Sequence, residues 1–283
     1  MNTLKIVLII FIVFIHHTAI GNTLKYITKK GEIRIGLRDN LRPFSFKDNN
    51  NNFNGFAYDI AKLFTEKLST HLKKNIRLIP VKISTQNRFE KILKSEIDIE
   101  IGSTSYSYRR EEIVDFSIIY FFSETSILGK KGEISNMNDL TNKVIGVTKN
   151  TTNQEYLLKF IKDSNIKIRK IVYLDEHFDS VEFLKQNKID AFCSDRTILH
   201  GILQHLDKSK FHILNKPIGY EPYAFMMQEN NSDFRDFVNN FIVWMVKSGN
   251  YFKIYKKWVS DLPVSPFLKS YFSVISYDLP KNW

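Results

Sequence analysis

The sequence predicts an α/β fold of two similarly wound lobes, each a mostly parallel sheet flanked by helices. Three observations carry the prediction. Strand and helix patterns alternate from residue 33 to residue 101, the same rhythm restarts at Val144, and a short block in the first half echoes one in the second. In that echo Phe89, Ile92, Ile97 and Asp98 align without gaps with Val181, Leu184, Ile189 and Asp190. Strand–helix–strand order makes neighbouring strands parallel, because the helix carries the chain back across the sheet face.

Taken in order, Ile33 to Leu37 alternates as a strand and a loop runs from Arg38 to Pro43. Asn49 to Asn54 is a polar turn. Phe56, Ile60, Leu63, Phe64 and Leu68 then recur at helical spacing. Ile76 to Val81 reads as a strand, Arg88 to Leu93 as a short helix, and Ile97 to Ile101 as a third strand that alternates Ile with Asp98 and Glu100. In the second block Val144 to Val147 is a strand that enters a helix at Asn150-Thr151-Thr152. A strand at Ile166 to Leu174, a helix around Ser180 to Gln186 and a strand at Ala191 to Cys193 follow. Further on, Ser232 is placed to cap a helix carrying Phe234, Phe237, Val238, Phe241, Ile242 and Met245 on one face, ended by Gly249. Tyr251 to Val259 is another short helix, and the Pro-containing tail is expected to wrap the surface.

Length and composition bound the function. A chain of 283 residues suits about two units of ~150 residues. Hydrophobic content of 43% and aromatic content of 14% suffice for a packed core. The single cysteine, Cys193, excludes an intrachain disulfide framework and any zinc site built on several thiolates. The 7 histidines show no HExxH spacing, so no metal or other cofactor is expected. Net charge is +11, from 41 Lys and Arg against 30 Asp and Glu. These lysines are scattered and no nucleic-acid motif accompanies them, which reads as a solvated basic surface with no nucleic-acid partner.

The first 21 residues read as a secretory signal. Lys5 supplies positive charge, Ile6 to Ile15 is an unbroken apolar run, and Ala19-Ile20-Gly21 gives the small-x-small pattern of a cleavage site. The run falls short of the ~20 residues that span a bilayer. The mature chain is therefore expected to start near Asn22 and to be exported into the periplasm.

The most informative segment is Gly102 to Tyr120, GSTSYSYRREEIVDFSIIY. A strand ends at Gly102, Ser103 and Ser105 follow at alternate positions, and Arg110 lies midway between Ser105 and Asp115-Phe116-Ser117. This resembles the signature of the family 3 extracytoplasmic solute-binding proteins, the amino-acid-binding components of ABC importers. The resemblance implies a two-lobed type II periplasmic binding protein with two crossovers. Lobe 1 is then 22–125 and 224–283, and lobe 2 is 126–223. It also implies that Arg110 grips the ligand α-carboxylate bidentately while Ser103 and Ser105 bind carboxylate and ammonium. A planar guanidinium suits that task better than lysine does.

Four further segments resemble the glutamate/aspartate-binding branch of that family. Gly36-Leu37-Arg38-Asp39 precedes Pro43-Phe44-Ser45-Phe46, and the resemblance puts Arg38 on the ligand's side-chain carboxylate. Thr85-Gln86-Asn87-Arg88 is similar to a motif whose ends, Thr85 and Arg88, hold the same carboxylate. Val147 to Thr152 resembles a Gly-Thr-Thr turn at a helix N-terminus, which offers Thr151 and Thr152. Asp175-Glu176-His177 and Phe192-Cys193-Ser194-Asp195 imply His177 on the ligand side chain and Asp195 on its ammonium. Two departures stand out. Asn150 occupies a usual glycine position, and Ile118-Ile119 replaces a common Asp-Pro.

Residue chemistry points the same way. Arg38, Arg88 and Arg110 each sit just past an expected strand or at a helix start, where open α/β sheets bind ligands. With Asp195 offsetting one of the three and His177 neutral, the cleft is expected to carry about +2. An acidic amino acid brings −1, and the helix N-terminus at Thr151-Thr152 adds free N–H donors. The expected function is capture of glutamate or aspartate by a monomer that delivers it to an inner-membrane ABC permease, without catalysis. The rival is an enzyme on the same fold, dehydratase-like, acting on a small carboxylic acid, with His177 its one group titrating near neutrality. A membrane-bound sensor or a lytic enzyme would require a spanning segment or a further catalytic domain, and neither is expected here.

Overall fold

The structure is a computed structural model that describes residues 23–276. The expected leader, Met1 to Gly21, lies outside the described residues. After a short helix α1 (Thr23–Lys30), β1 (Glu32–Arg38) enters the sheet. A small antiparallel sheet of β2 (Asn40–Leu41), β3 (Ser45–Lys47) and β4 (Phe53–Asn54) follows, where the sequence suggested only loop and turn. Helix α2 (Phe56–Leu72) buries Phe56, Ile60, Phe64 and Leu68, the stripe read from periodicity. Then come β5 (Arg77–Ile83), α3 (Arg88–Leu93), β6 (Ile99–Glu100), a single turn α4 (Tyr108–Glu111) and the long strand β7 (Asp115–Lys130). The second block holds β8 (Val144–Thr148), α5 (Thr152–Ser164), β9 (Lys170–Leu174), α6 (Asp179–Lys185), β10 (Ala191–Asp195), α7 (Arg196–Leu203) and β11 (Phe211–Ile213). Strand β12 (Gly219–Met227) leads back to α8 (Ser232–Lys247), α9 (Asn250–Trp258) and α10 (Pro266–Ser276).

Among the described residues nine strands form one mixed sheet, in the order β5-β1-β6-β12-β7-β10-β8-β9 with β11 on β7. Pairing is parallel within β5-β1-β6 and within β10-β8-β9. It is antiparallel where β7 and β12 join these halves. The molecule is thus a two-lobed α/β protein in which two neighbouring strands run from one lobe to the other. The boundaries expected after residues 125 and 223 fall inside those two strands.

The echo between the lobes is structural. In the first, Arg34 N donates to Asp98 Oδ2 at 2.7 Å and Asp98 N returns to Arg34 O at 2.8 Å. In the second, Val144 N donates to Asp190 Oδ2 at 2.7 Å and Asp190 N to Val144 O at 2.8 Å. Each aspartate pins the first strand of its lobe to the end of the helix–turn unit before it. The helix-ending turns match too, with Ser95 and Asn187 both at φ 54°. Both first strands carry a glycine because the echo isoleucine lies against it. A Cβ would stand 2.5 Å from Ile97 Cδ1 at Gly36 and 2.6 Å from Ile189 Cδ1 at Gly146.

Three expectations are corrected. Ser232 does not cap α8 from outside; it is the first helical residue, after Asn231, whose Oδ1 accepts instead from Thr23 N and Thr23 Oγ1. The tail folds as α10, begun by Pro266 at the first helical position with Ser265 Oγ accepting from Leu268 N at 3.1 Å. The third strand is only Ile99–Glu100, shorter than the expected Ile97 to Ile101, and Asp98 just before it and Glu100 within it are both buried. The Ile118-Ile119 departure is compensated. The N–H of Ile118 donates to Asn239 Oδ1 of α8, and that of Ile119 donates to the Tyr271 hydroxyl of α10. A proline at 119 would have no N–H to satisfy.

Candidate functional site

The candidate site lies where the strand ends of both lobes meet β7 and β12. On the first lobe, Ser84 and Asn87 brace a tight turn, Ser84 N donating to Asn87 Oδ1 at 2.8 Å and Asn87 N to Ser84 Oγ at 3.1 Å. That turn buries Arg88 as the first residue of α3. Arg88 donates from Nη1 to Thr85 O, and its Nε has no partner. Helix α4 is capped by Ser107, whose Oγ accepts from Arg110 N at 3.3 Å, and Arg110 Nη1 donates to Ser105 O at 2.7 Å. The Phe89 ring lies 5.0 Å from the Arg88 guanidinium and 5.6 Å from that of Arg110. Both arginines are buried, and among the described residues neither has a carboxylate within ion-pair distance.

Arg38 differs. Its Nη1 donates to Thr85 Oγ1 at 2.6 Å and pairs with Glu176 Oε2 of the second lobe at 2.8 Å. Glu176 also accepts from Thr85 N and Thr85 Oγ1, both at 2.8 Å. A side chain of this protein therefore already holds the carboxylate position on Arg38 and Thr85. Sequence reading passed over Glu176, which stands beside the histidine it did single out.

On the second lobe Asn150 has φ 59°, the left-handed conformation that a glycine would otherwise supply. Thr151 then caps α5: its hydroxyl donates to Thr148 O at 2.7 Å and accepts from Gln154 N at 3.3 Å. That hydroxyl is committed to the helix terminus. Thr152 donates instead to Glu221 Oε2 at 2.6 Å. Ser105, of the first lobe, donates to the same oxygen. Ser103 is half-buried and makes no side-chain hydrogen bond among the described residues. Asp195, 4% exposed, closes β10 with no hydrogen bond to its Oδ1. Burial and the nearby Glu221 raise its pKa and the neighbouring Tyr223 hydroxyl and Asn153 amide lower it, but neither donor makes a hydrogen bond to Oδ1.

His177 is buried, with Nδ1 3.1 Å from Thr148 Oγ1 and 2.9 Å from Ser194 Oγ. Burial, then the charges of Arg38 and Arg88, hold it well below the usual histidine value. It is neutral at pH 7 and stays neutral in mild acid. As pH falls below ~6.5 the unfolded chain takes up a proton here that the folded chain refuses, so this contribution to stability is lost on acidification. Asp195 and Glu221, raised by burial, act in the opposite sense. Denaturant midpoints between pH 7.5 and 5 for wild type and His177→Gln isolate the effect, and the variant should show the shallower acid loss.

The expected balance of about +2 is corrected. Besides Asp195, the site region holds Glu100, Glu176 and Glu221, with Glu100 and Glu221 fully buried. Burial pushes Glu100, Asp195 and Glu221 above the ordinary carboxylate range. Burial, then Arg38 and Arg110, pushes Arg88 down to about 9, still protonated at neutral pH. The informative quantity is which groups lack partners, not the sum. Arg88 and Arg110 have no carboxylate within ion-pair distance, and Asp195 Oδ1 and Glu100 Oε2 have no donor. Among the described residues no group of His, Cys, Asp and Glu is placed to share a metal ion, and no helix is long and apolar enough to cross a membrane.

Two lobes joined by paired strands, with charged and hydroxyl side chains meeting at the junction, define a cleft-type binding protein for a small polar ligand. The chain belongs to the bacterial extracellular solute-binding proteins, family 3, whose family model matches residues 33–261. It is similar to the glutamate/aspartate import solute-binding protein of Salmonella typhimurium, 31% identical over 253 residues, covering 88% of this chain and 82% of that protein. The protein of the same name from Escherichia coli is 30% identical with the same coverage. Among solved structures, a solute receptor for L-cysteine from Neisseria gonorrhoeae superposes with a TM-score of 0.73 at 26% identity, covering 87% of this chain and 98% of that one. The chain is an amino-acid-binding component of the ABC-importer class.

Proposed function

We propose that this protein captures an acidic amino acid, glutamate or aspartate, in the periplasm and presents it to an inner-membrane ABC permease. The observation that carries the reading is the set of unpartnered buried groups. Two guanidiniums without carboxylates, Arg88 and Arg110, and the donor-free Oδ1 of Asp195 match two carboxylates and one ammonium, while Glu100 Oε2, also without a donor, is offset by the charges of Arg88, Arg38 and Arg110. The likeness to glutamate/aspartate import proteins supports the same assignment. In this reading Arg110 takes the α-carboxylate and Asp195 the ammonium. Arg88 takes the distal carboxylate, beside Arg38, Thr85 and His177, and the Ser103 to Ser105 and Thr151-Thr152 segments line the two walls. The lobes close about the strands β7 and β12, which desolvates these charges and is favourable only when each finds a partner. The protein acts as a monomer and without a cofactor.

Calorimetric titration of the ligand-stripped protein against the twenty L-amino acids tests the proposal. Saturable binding led by glutamate or aspartate supports it, and tightest binding of a neutral or basic amino acid overturns it.

A further inference from the structure

Glu221 sits near the start of β12, 0% exposed, with a hydrogen-bond donor on each of its four acceptor positions. Its Oε1 accepts from Thr125 Oγ1 at 2.8 Å and from Asn153 Nδ2 at 2.9 Å. Its Oε2 accepts from Thr152 Oγ1 at 2.6 Å and from Ser105 Oγ. Ser105 and Thr152 belong to opposite walls of the cleft, so one carboxylate oxygen holds a hydroxyl from each. A hydroxyl has a single hydrogen and two lone pairs. Ser105 and Thr152 have both given that hydrogen to Glu221, and among the described residues neither oxygen accepts a bond in return.

We propose that Glu221 is a positioning residue that sets the hydrogen-bond polarity of Ser105 and Thr152, making both hydroxyls acceptors toward the cleft, so that they serve the ligand's ammonium and not a carboxylate. With the free Oδ1 of Asp195 on β10, which lies across β7 from β12, the site offers three acceptors, one for each N–H of an α-ammonium. Thr151 takes no part, because its hydroxyl is spent on capping α5. The expectation that the strand-end serines also bind carboxylate thus narrows, for Ser105, to the ammonium. Burial raises Glu221 above the ordinary glutamate value, and the hydroxyls of Ser105, Thr152 and Thr125 pull it back. An arriving ammonium pulls in the same direction as those hydroxyls and favours the ionised form that this arrangement requires.

The inference rests on the ligand being an α-amino acid and not on its being acidic, so it is tested separately from the proposed specificity. Affinities for L-glutamate and glutarate, which differ only in the ammonium, are measured on wild type and Glu221→Gln, with L-glutamine and glutaramate in parallel. A glutamine amide at 221 turns one acceptor into a donor. On the side of Ser105 and Thr152 it forces their hydrogens toward the ligand. Wild type should favour each amino acid over its des-amino analogue by at least ~100-fold. In Glu221→Gln that ratio should fall at least ~10-fold while the analogue's affinity changes less than ~3-fold. Equal weakening of both ligands, or an unchanged ratio, overturns the proposal, since a mere brace would affect both alike. Should Glu221→Gln not fold, Thr152→Val is measured instead. It removes one acceptor on the half-exposed wall and should also lower the ratio; a full wild-type ratio in that variant overturns the proposal.

Discussion

Replacing Arg110 by alanine is expected to abolish binding of every amino acid, not only the acidic ones. Its guanidinium is buried, hydrogen-bonded to Ser105 O at 2.7 Å, and has no carboxylate partner among the described residues. The α-carboxylate it is proposed to receive is common to all α-amino acids. Truncating one partner of a desolvated charge pair costs about 2–5 kcal/mol, so affinity should fall by roughly 30- to 5,000-fold. Arg110→Lys should fail nearly as badly, because an ammonium offers no planar fork to a carboxylate. Calorimetry on folded variants checks this, and near-normal affinity in either would remove Arg110 from the site.

The second large effect is expected at Arg88, and it separates charge from shape. Glutamine matches glutamate in outline but brings no negative charge to the distal end. The structure makes Arg88 the group most exposed to that difference, because Arg38 is already paired with Glu176. Arg88 keeps one hydrogen bond to Thr85 O and an unpartnered Nε, and its burial pushes its pKa down to about 9. Wild type should therefore prefer glutamate to glutamine by at least ~100-fold, corresponding to about 2.7 kcal/mol. Arg88→Met should lose most of that preference, weakening glutamate far more than glutamine. Paired titrations at fixed ionic strength decide the matter. Equal weakening of the two ligands would show that Arg88 supports the fold of the turn at Thr85 and not the specificity.

Much of this was readable from the chain itself, and the reasons are local. The arginines stood out because each follows a strand or opens a helix, and the Asp98 and Asp190 echo stood out because both lobes pin their first strand in the same way. The buried glutamates did not stand out, because a glutamate in a strand is most simply read as facing water. For Glu100 that reading fails because β6 lies between β1 and β12 in the sheet interior. Glu221 did carry a signal. In Tyr220-Glu221-Pro222-Tyr223 the period of two sets Glu221 with buried Tyr223 and against Tyr220, which is 56% exposed. Glu176 had none, because its role depends on the first lobe facing it across the cleft. Helix α10 was signalled by Ser265-Pro266, a capping residue followed by proline at the first helical position.

The contacts between the lobes have a consequence for how the protein reports its own occupancy. Glu176 reaches Arg38 and Thr85 across the cleft, and Gln86 Nε2 donates to the backbone of Lys149 and Asp175. Asn150 Nδ2 returns to Gln86 Oε1, and Arg109 pairs with Glu155. None of these bonds involves a ligand, so each favours the closed shape whether the cleft is full or empty. At roughly 0.5 kcal/mol apiece for partly exposed groups, these six contacts together would shift the open–closed balance by about 160-fold. Apparent affinity scales with the fraction of molecules able to adopt the binding shape, so loosening the Arg109–Glu155 pair should weaken all ligands by one common factor and leave their ranking intact. On the proposed reading, sensitivity and selectivity are set by different residues: the rim of the cleft decides how readily it shuts, and the buried arginines decide on what.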